Sequence, residues 1–544
     1  MDIKNRGSQT GQIPQNDGGA LKAPQMMANT TITNPASGGT QSGDSEQPDE
    51  KVTIYFDGEE MEVENIHVRI ISQANEHIAA RLTGLIKAGS YDSYIKKAKR
   101  ISKITIEHTI KGETALKYEG IITFIQGKAE WAAEEQGIYL LTVRALSHTY
   151  LLDIAKQRRS FQDKEMLYPD MFRELLKDFE GADFIDNVTE GVPLTVFVLQ
   201  YLNTIWEFIK LEVSKFEHAI YAVATTAAPK LHVGCPQGVD RGALEEYEYT
   251  ITKDLMAFGQ MDQNEYEHET SEFDFMQYEI FDAYAKETFE LGDRVSYQGV
   301  GLRVCYVESE IKDNKLYNSY KLTTENGMKR PRLVNDNIQG LSIPGQVIDV
   351  QDNRLKLHLE IDEEQPVDTA YWFDYATFYA TWYGMPEVND WVNLHFPNLD
   401  ERDAIGLNSF KQNPSSGYTR NNAVETPENT SAAGNKGPID FVKSASDPDV
   451  KLLTTKAGRM IELGPDRICI LYNDGTYAIL DDSDGITLYT DRDITAYAKG
   501  EVNLDADERV HIQAEKQITL QSESSVIELT PSTVTVFANE KKMN

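Results

Sequence analysis

The sequence predicts a mainly β, multidomain chain: strand-rich barrels with helical insertions, a second compact β unit, and a C-terminal β-helix wound from three identical copies. Three observations predict it. Apolar residues alternate with polar ones through much of 51–340, the mark of half-buried strands. Two short stretches inside that region switch to helical spacing. From Cys469 to Glu540 an aliphatic residue returns at every eighth position, the mark of a solenoid whose units bury their apolar side only against neighbours. At 544 residues the chain exceeds a single core and divides into roughly three or four domains.

Residues 1–50 are rich in Gly, Ser, Asn, Gln and Pro and lack an apolar run, which predicts a disordered arm and no signal peptide. Strands follow. Val52, Ile54 and Phe56 alternate with other residues, as do Ile104 and Ile106; Ile121, Ile122, Phe124 and Ile125, then Tyr139, Leu141 and Val143, add more strands, and together they suggest a barrel. Met171, Phe172, Leu175, Leu176 and Phe179 are spaced as one helix face behind Pro169 and Asp170, so a helix is expected over 166–179. Val198, Leu202, Ile205 and Ile209 predict another over 195–213. Strands resume between 237 and 340, in Phe289, Leu291, Val295, Leu302, Val304 and Tyr306. A compact unit is expected at 341–410, and a linker rich in Asn, Ser, Pro and Gly at 411–449.

The repeats occupy 450–541. Written in eights, the second places include Ile486, Ile494, Val502, Val510, Ile518, Val526 and Val534. Fourth places include Leu488, Leu504, Ile512, Leu520 and Val536, broken only by Glu528 between Ile527 and Leu529. Sixth places are small from Ala498 onward. Successive strand residues alternate faces, so places two, four and six line one face. A single chain forming all three sides of a prism would give a stub of roughly 14 Å at ~4.8 Å per strand, whereas three intertwined chains give a rod of roughly 40 Å. The trimer is the expected arrangement. An ordinary antiparallel meander is the competing one, and it needs turn signals that 486–530 lacks.

A formal charge of -34 is repelled by nucleic-acid phosphates and anionic head groups. No stretch is long and apolar enough to span a bilayer, and Cys235, Cys305 and Cys469 lie too far apart to suggest a disulfide framework. Aromatic residues crowd 371–383 (Tyr371, Trp372, Phe373, Tyr375, Phe378, Tyr379, Trp382, Tyr383), yet 341–410 holds 3 Lys or Arg against 13 Asp or Glu. They therefore read as core and subunit contact, and no nucleic acid is expected. The stretch 265–272 lacks the second His of a helical zinc motif. Asp481, Asp482 and Asp484 read as turn residues rather than paired catalytic carboxylates. No nucleophile elbow, phosphate loop or dinucleotide site is present. The chain reads as non-enzymatic, with no cofactor and no metal.

Residues 147–163 (SHTYLLDIAKQRRSFQD) and 200–209 (QYLNTIWEFI) resemble the hub of VgrG-type spike proteins, which serve type VI secretion and the baseplates of phages and tailocins. Residues 342–410 resemble the oligonucleotide/oligosaccharide-binding (OB) barrel joining hub to needle in those proteins, and the octads resemble the needle. The resemblance implies a hub at 51–340 made of two β-barrels plus the helices, an OB barrel at 341–410 and a needle at 450–541. It also implies a homotrimer that caps a six-fold tail tube, contacts baseplate subunits and breaches the target membrane mechanically when a sheath contracts. A PAAR-type tip protein would seat on Val534, Val536 and Phe537. An effector cargo would be a further partner, with residues 1–50 as its tether or simply a solvated tail. Synthesis in the bacterial cytoplasm and assembly into a particle or secretion apparatus follow from the same resemblance. A tail spike that binds or cleaves surface polysaccharide is the alternative.

Overall fold

The computed structural model describes residues 50–129, 138–244, 249–256, 274–282, 288–297, 299–376, 384–410, 449–454, 459–473 and 476–538. Residues 1–49, the acidic stretch 265–272, the linker over 411–448 and the aromatics Phe378, Tyr379, Trp382 and Tyr383 lie outside them. The chain forms two compact units: Met1–Tyr150 with Tyr221–Met328, and Leu151–Ile220 with Lys329–Asn544.

In the first unit the alternating stretches become strands of one 13-stranded sheet. Val52, Ile54, Phe56, Ile104, Ile106, Leu141 and Val143 are all buried in its larger core. A smaller core gathers Phe289, Val295, Leu302, Val304 and Tyr320. Where two barrels are expected, the described residues form one 13-stranded sheet with two separate cores. The seam is the antiparallel pairing of Glu64–Gln73 with Val300–Lys312, from His67 opposite Lys312 to Gln73 opposite Tyr306. Across it Arg69 Nη2 donates to Glu308 Oε2 at 2.9 Å, a bond that holds the Glu308 carboxyl below its usual range.

In the second unit the helix expected over 166–179 spans Tyr168–Leu176, with Pro169 in its first turn and Met171, Phe172, Leu175 and Leu176 buried. The helix expected over 195–213 is only half present. Val198–Asn203 is a strand paired with Gln157–Phe161, and the helix covers Ile205–Ser214. Thr195 and Leu202 have positive φ, a conformation no helix accommodates. Thr204 then starts the helix with a full capping box: its side chain accepts from the Glu207 amide and Glu207 reaches back to the Thr204 amide.

Residues 342–410 close into a five-stranded barrel. Its strands are Ser342–Gln351, Arg354–Leu359, Trp372–Ala376, Trp391–His395 and Ile405–Phe410. The first pairs with the second and the fourth, the third with the second and the fifth, and only the third and fifth run parallel. This order is the OB topology expected of the segment. Ile343, Val347, Leu355, Leu357, Phe373, Val392 and Leu394 fill the interior. Gly345 packs closely there: a Cβ would stand 3.0 Å from Leu359 Cδ2 and 3.2 Å from Leu357 Cβ, so a larger residue must displace these leucines by a few tenths of an ångström.

Residues 151–220, placed in the hub by chain order, belong to the barrel's unit. Phe197 inserts its ring against Phe373 at 5.0 Å between centroids, and against Tyr371 and Phe396 at 6.2 Å each. Asp362 accepts from the Ser160 amide at 2.7 Å and from its hydroxyl at 2.6 Å. Gln162 bridges the Leu357 carbonyl and the Tyr371 amide.

Beyond the linker lie two antiparallel sheets. Five strands, Lys451–Thr454, Met460–Leu463, Arg467–Asn473, Thr476–Asp481 and Gly485–Thr490, pair in sequence order. Three more, Ile518–Ser522, Ser525–Leu529 and Val534–Phe537, do the same. Among the described residues none of 491–517 belongs to a strand.

Candidate functional site

Two features of the second unit are candidates for function: the joint between the inserted segment and the barrel, and the apolar surface of the C-terminal sheets. At the joint Lys215 lies one residue past the helix Ile205–Ser214. Its Nζ donates to Glu212 Oε2 at 2.9 Å and to Glu401 Oε1 at 2.6 Å, the latter from the short helical turn Glu401–Asp403 of the barrel. Glu212 is wholly buried and Glu401 nearly so. Burial pushes the Glu212 carboxyl up to about 6; the charge of Glu401 adds to the shift, while Lys215 and the Tyr168 hydroxyl oppose it. Burial also works against the Lys215 ammonium, but the two carboxylates outweigh it and raise its pKa. Two acids thus share one cation in a dry joint. The sequence carries one trace of this, a Glu on the otherwise apolar stripe of Ile205, Ile209 and Val213.

In the five-stranded sheet the register assigns every side chain to a face. Leu453, Ile461, Ile470, Ala478 and Leu488 stand directly opposite one another across successive strands, and Lys451, Leu463, Ile468, Leu480 and Ile486 form the neighbouring row. These residues share one face. On the other, Cys469 and Leu471 are buried with Leu452, Met460, Tyr477 and Ile479 packed around them. Glu462 is buried there beneath Arg467, whose Nε donates to it at 2.8 Å. The first face is solvent-exposed in the chain: Ile486 is 74% accessible, Leu488 63% and Leu453 48%.

The octad residues expected to line a trimer interior are exposed in the single chain as well. Ile494, Val502, Leu504, Val510 and Ile512, between the two sheets, are 52–72% accessible. In the last sheet Ile518 stands opposite Leu529, which stands opposite Val534; Leu520 stands opposite Ile527, which stands opposite Val536. Val526 pairs with Gln521 and Phe537 and so lies on the reverse face. The octad count therefore fails at Val526: the Glu528 interruption is a one-residue change of phase, after which Ile527 and Leu529 take the apolar side. The cause is a hairpin at Glu523 and Ser524, where Glu523 has φ 48° without the Asn or Gly that usually marks such a turn. The same register separates Phe537 from Val534 and Val536, so the three residues expected to seat a tip protein divide between two faces.

Hairpins also replace the expected strand-and-corner units from Cys469 to Thr490. Asp481 Oδ1 accepts from the Ser483 and Asp484 amides at 2.9 and 3.2 Å, and Gly485 follows at φ 77°. The acidic triplet is thus a turn. Gly464 closes another, donating to the Arg467 carbonyl at 2.8 Å.

Of the barrel aromatics, Phe373 and Tyr375 are core. Trp372 faces outward beneath Lys356, whose Nζ lies 4.9 Å from the ring centroid. Among the described residues no His, Cys, Asp and Glu group is arranged to hold a metal ion, and no helix is long and apolar enough to cross a membrane.

No family model matches the chain, and no curated protein matches it in sequence. Solved structures match its fold. A chain of the half-lidded Francisella PdpA-VgrG complex aligns with a TM-score of 0.51 at 9% identity, over 82% of this chain and 89% of that one. The lidless PdpA-VgrG complex gives 0.50 at 8% identity, over 81% and 98%. The E. coli c3393 protein, a component of the type VI secretion system similar to T4 bacteriophage tail proteins, gives 0.47 at 14% identity, over 66% and 99%. The chain thus has a VgrG-like hub and spike fold.

Proposed function

We propose that this chain is the homotrimeric central spike of a contractile injection machine, capping the tail tube at its hub and puncturing the target envelope with its C-terminal rod. The observation that carries the reading is the order of parts: a two-core sheet unit, an OB barrel, then a tail whose aliphatic residues face outward from the single chain. Exposed apolar surface on this scale marks an interface. In the proposed trimer Ile486, Leu488, Ile494, Val502, Leu504, Val510, Ile512, Ile518, Leu520, Val534 and Val536 turn inward, with Ile527 and Leu529 in place of Val526. Three copies of a unit with two cores supply six blocks, a number suited to a six-fold tail tube.

The role is mechanical, without a catalytic step. The tail-tube protein and baseplate subunits are partners at the hub, a PAAR-type protein at the tip, and an effector is the cargo. Assembly takes place in the bacterial cytoplasm and delivery is outward. Sedimentation of the full chain over a range of concentrations tests the reading. Three chain masses are expected; a folded monomer at all concentrations would sink it, and turnover of a capsular polysaccharide would favour a tail-spike enzyme instead.

A further inference from the structure

We propose that Asn326 is a site of spontaneous deamidation, and that the short turn Glu325–Met328 guards it by holding the attacking nitrogen, the Gly327 amide, in hydrogen bonds. The chemistry is independent of the spike reading.

Asn326 and Gly327 are the one Asn–Gly pair in the chain. The backbone nitrogen after an asparagine can attack its side-chain amide. Here the Gly327 nitrogen gives its proton to hydroxide and bonds to Asn326 Cγ; the Cγ–Nδ2 bond breaks and ammonia leaves. Water then opens the five-membered imide at either carbonyl, giving aspartate or isoaspartate. Water enters and ammonia departs, with no oxidant or reductant. Glycine, which has no Cβ beside its nitrogen, hinders the attack least. Asn326 is exposed, within reach of water and hydroxide.

Packing imposes the glycine. A Cβ at position 327 would stand 1.8 Å from Thr323 Oγ1 and 2.9 Å from Thr323 Cβ. Thr323 is buried, and its hydroxyl is engaged with the Met276 carbonyl at 2.8 Å. The fold therefore keeps a glycine after Asn326 and restrains the pair by other means.

The restraint is the turn. The Gly327 amide donates to the Thr324 carbonyl at 3.0 Å and to Thr324 Oγ1 at 3.3 Å, the bond by which a threonine caps the start of a helical turn. Thr324 Oγ1 donates in its turn to Asp274 Oδ2 at 2.6 Å, and the Asp274 amide donates to the Asn326 carbonyl at 3.4 Å. Glu325 accepts from Arg303 Nε at 2.5 Å, and Met328 is buried. Closing the imide ring requires the Asn326 backbone to leave its helical conformation, so these bonds must open first.

The product fits the turn less well than Asn326 does. It places a new carboxylate next to Glu325 and against the segment that carries Asp274, a like-charge contact. Isoaspartate also adds a backbone carbon just before Met328, where the last segment of the first unit ends.

The test is to hold the full chain at mildly alkaline pH, native and in urea, and to follow the tryptic peptide 322–329 by mass spectrometry. In urea Asn326 should convert to aspartate and isoaspartate; in the native chain conversion should be at least about tenfold slower. No conversion in urea would overturn the site, and equal rates would overturn the guard. Thr324→Ala removes the hydroxyl between Gly327 and Asp274, so native conversion should quicken about threefold or more while the rate in urea stays the same. Glu325→Gln, which weakens the bond from Arg303, repeats the test should Thr324→Ala disturb folding. Native rates unchanged in both variants would also overturn the guard.

Discussion

The OB barrel and the C-terminal sheets are both small antiparallel assemblies of one chain, and they solve the burial of apolar residues in opposite ways. The barrel closes on itself, so it has no free edge, and its interior residues Val347, Leu355, Leu357, Val392 and Leu394 are sealed by their own chain. The five-stranded sheet beyond it is open and buries one face only thinly, around Cys469 and Leu471. Its other face, and most octad aliphatic residues after it, are exposed in the single chain. Local contacts therefore set the stability of the barrel, while in the proposed trimer that of the tail depends on the other two copies and should rise with protein concentration by mass action.

The largest effect that would sharpen this contrast is expected from Ile512→Asp. In the proposed trimer it would bring three carboxylates together in an apolar interior, a costly burial without paired cations. The proposed trimer should be lost at micromolar concentration, while barrel unfolding, followed by tryptophan fluorescence with Trp131, in the other unit, replaced by Phe, shifts by less than about 0.5 kcal/mol. An Ile512→Asp protein that still sediments as three chains would mean that the octads do not face one another. Phe197→Ala probes the other side of the comparison. Phe197 is fully buried against the Phe373, Tyr371 and Phe396 rings, so truncation should cost about 3–5 kcal/mol of barrel stability in urea titrations. The loss should be the same at every protein concentration. A concentration-dependent loss would show that the barrel, too, is completed by a partner.

The same contrast explains what could be read from the sequence. Strands with one dry face write their burial into alternation, so Val52, Ile54, Phe56, Ile104 and Ile106 were legible one by one. The Tyr168–Leu176 helix was legible because Pro169 and its apolar stripe agree. Val198–Asn203 was not, because its strand character comes from pairing with Gln157–Phe161 and from the positive φ of Leu202, neither of which has a local signal. The octads gave the apolar face correctly through Ile470, Ala478 and Ile486 but concealed the hairpins, since antiparallel strands and stacked corners demand the same alternation. Only the turns distinguish them: Asp481 to Gly485 is explicit, whereas Glu523 is silent. The Lys215 joint was beyond reach, because Glu401 lies 186 residues away and no spacing rule connects them.

That joint supplies the smallest effect and the finest test of where the barrel's unit ends. Glu212 titrates near 6 when folded, above the ordinary 4.5 of a glutamate. A raised pKa means that the folded state holds the proton more tightly than the unfolded one. The stability this group contributes is complete below about 4.5 and is lost as pH rises through about 6. Asp400, held low first by its bond from Arg402, has the opposite sign and weakens the same unit in acid, so the informative quantity is a difference. Between pH 7 and pH 4.5 the unaltered chain should gain stability relative to Glu212→Gln, on the order of 1 kcal/mol, measured by urea unfolding of both at each pH. Parallel pH profiles would show that Glu212 stays ionised beside Lys215 and that its burial does not raise its pKa.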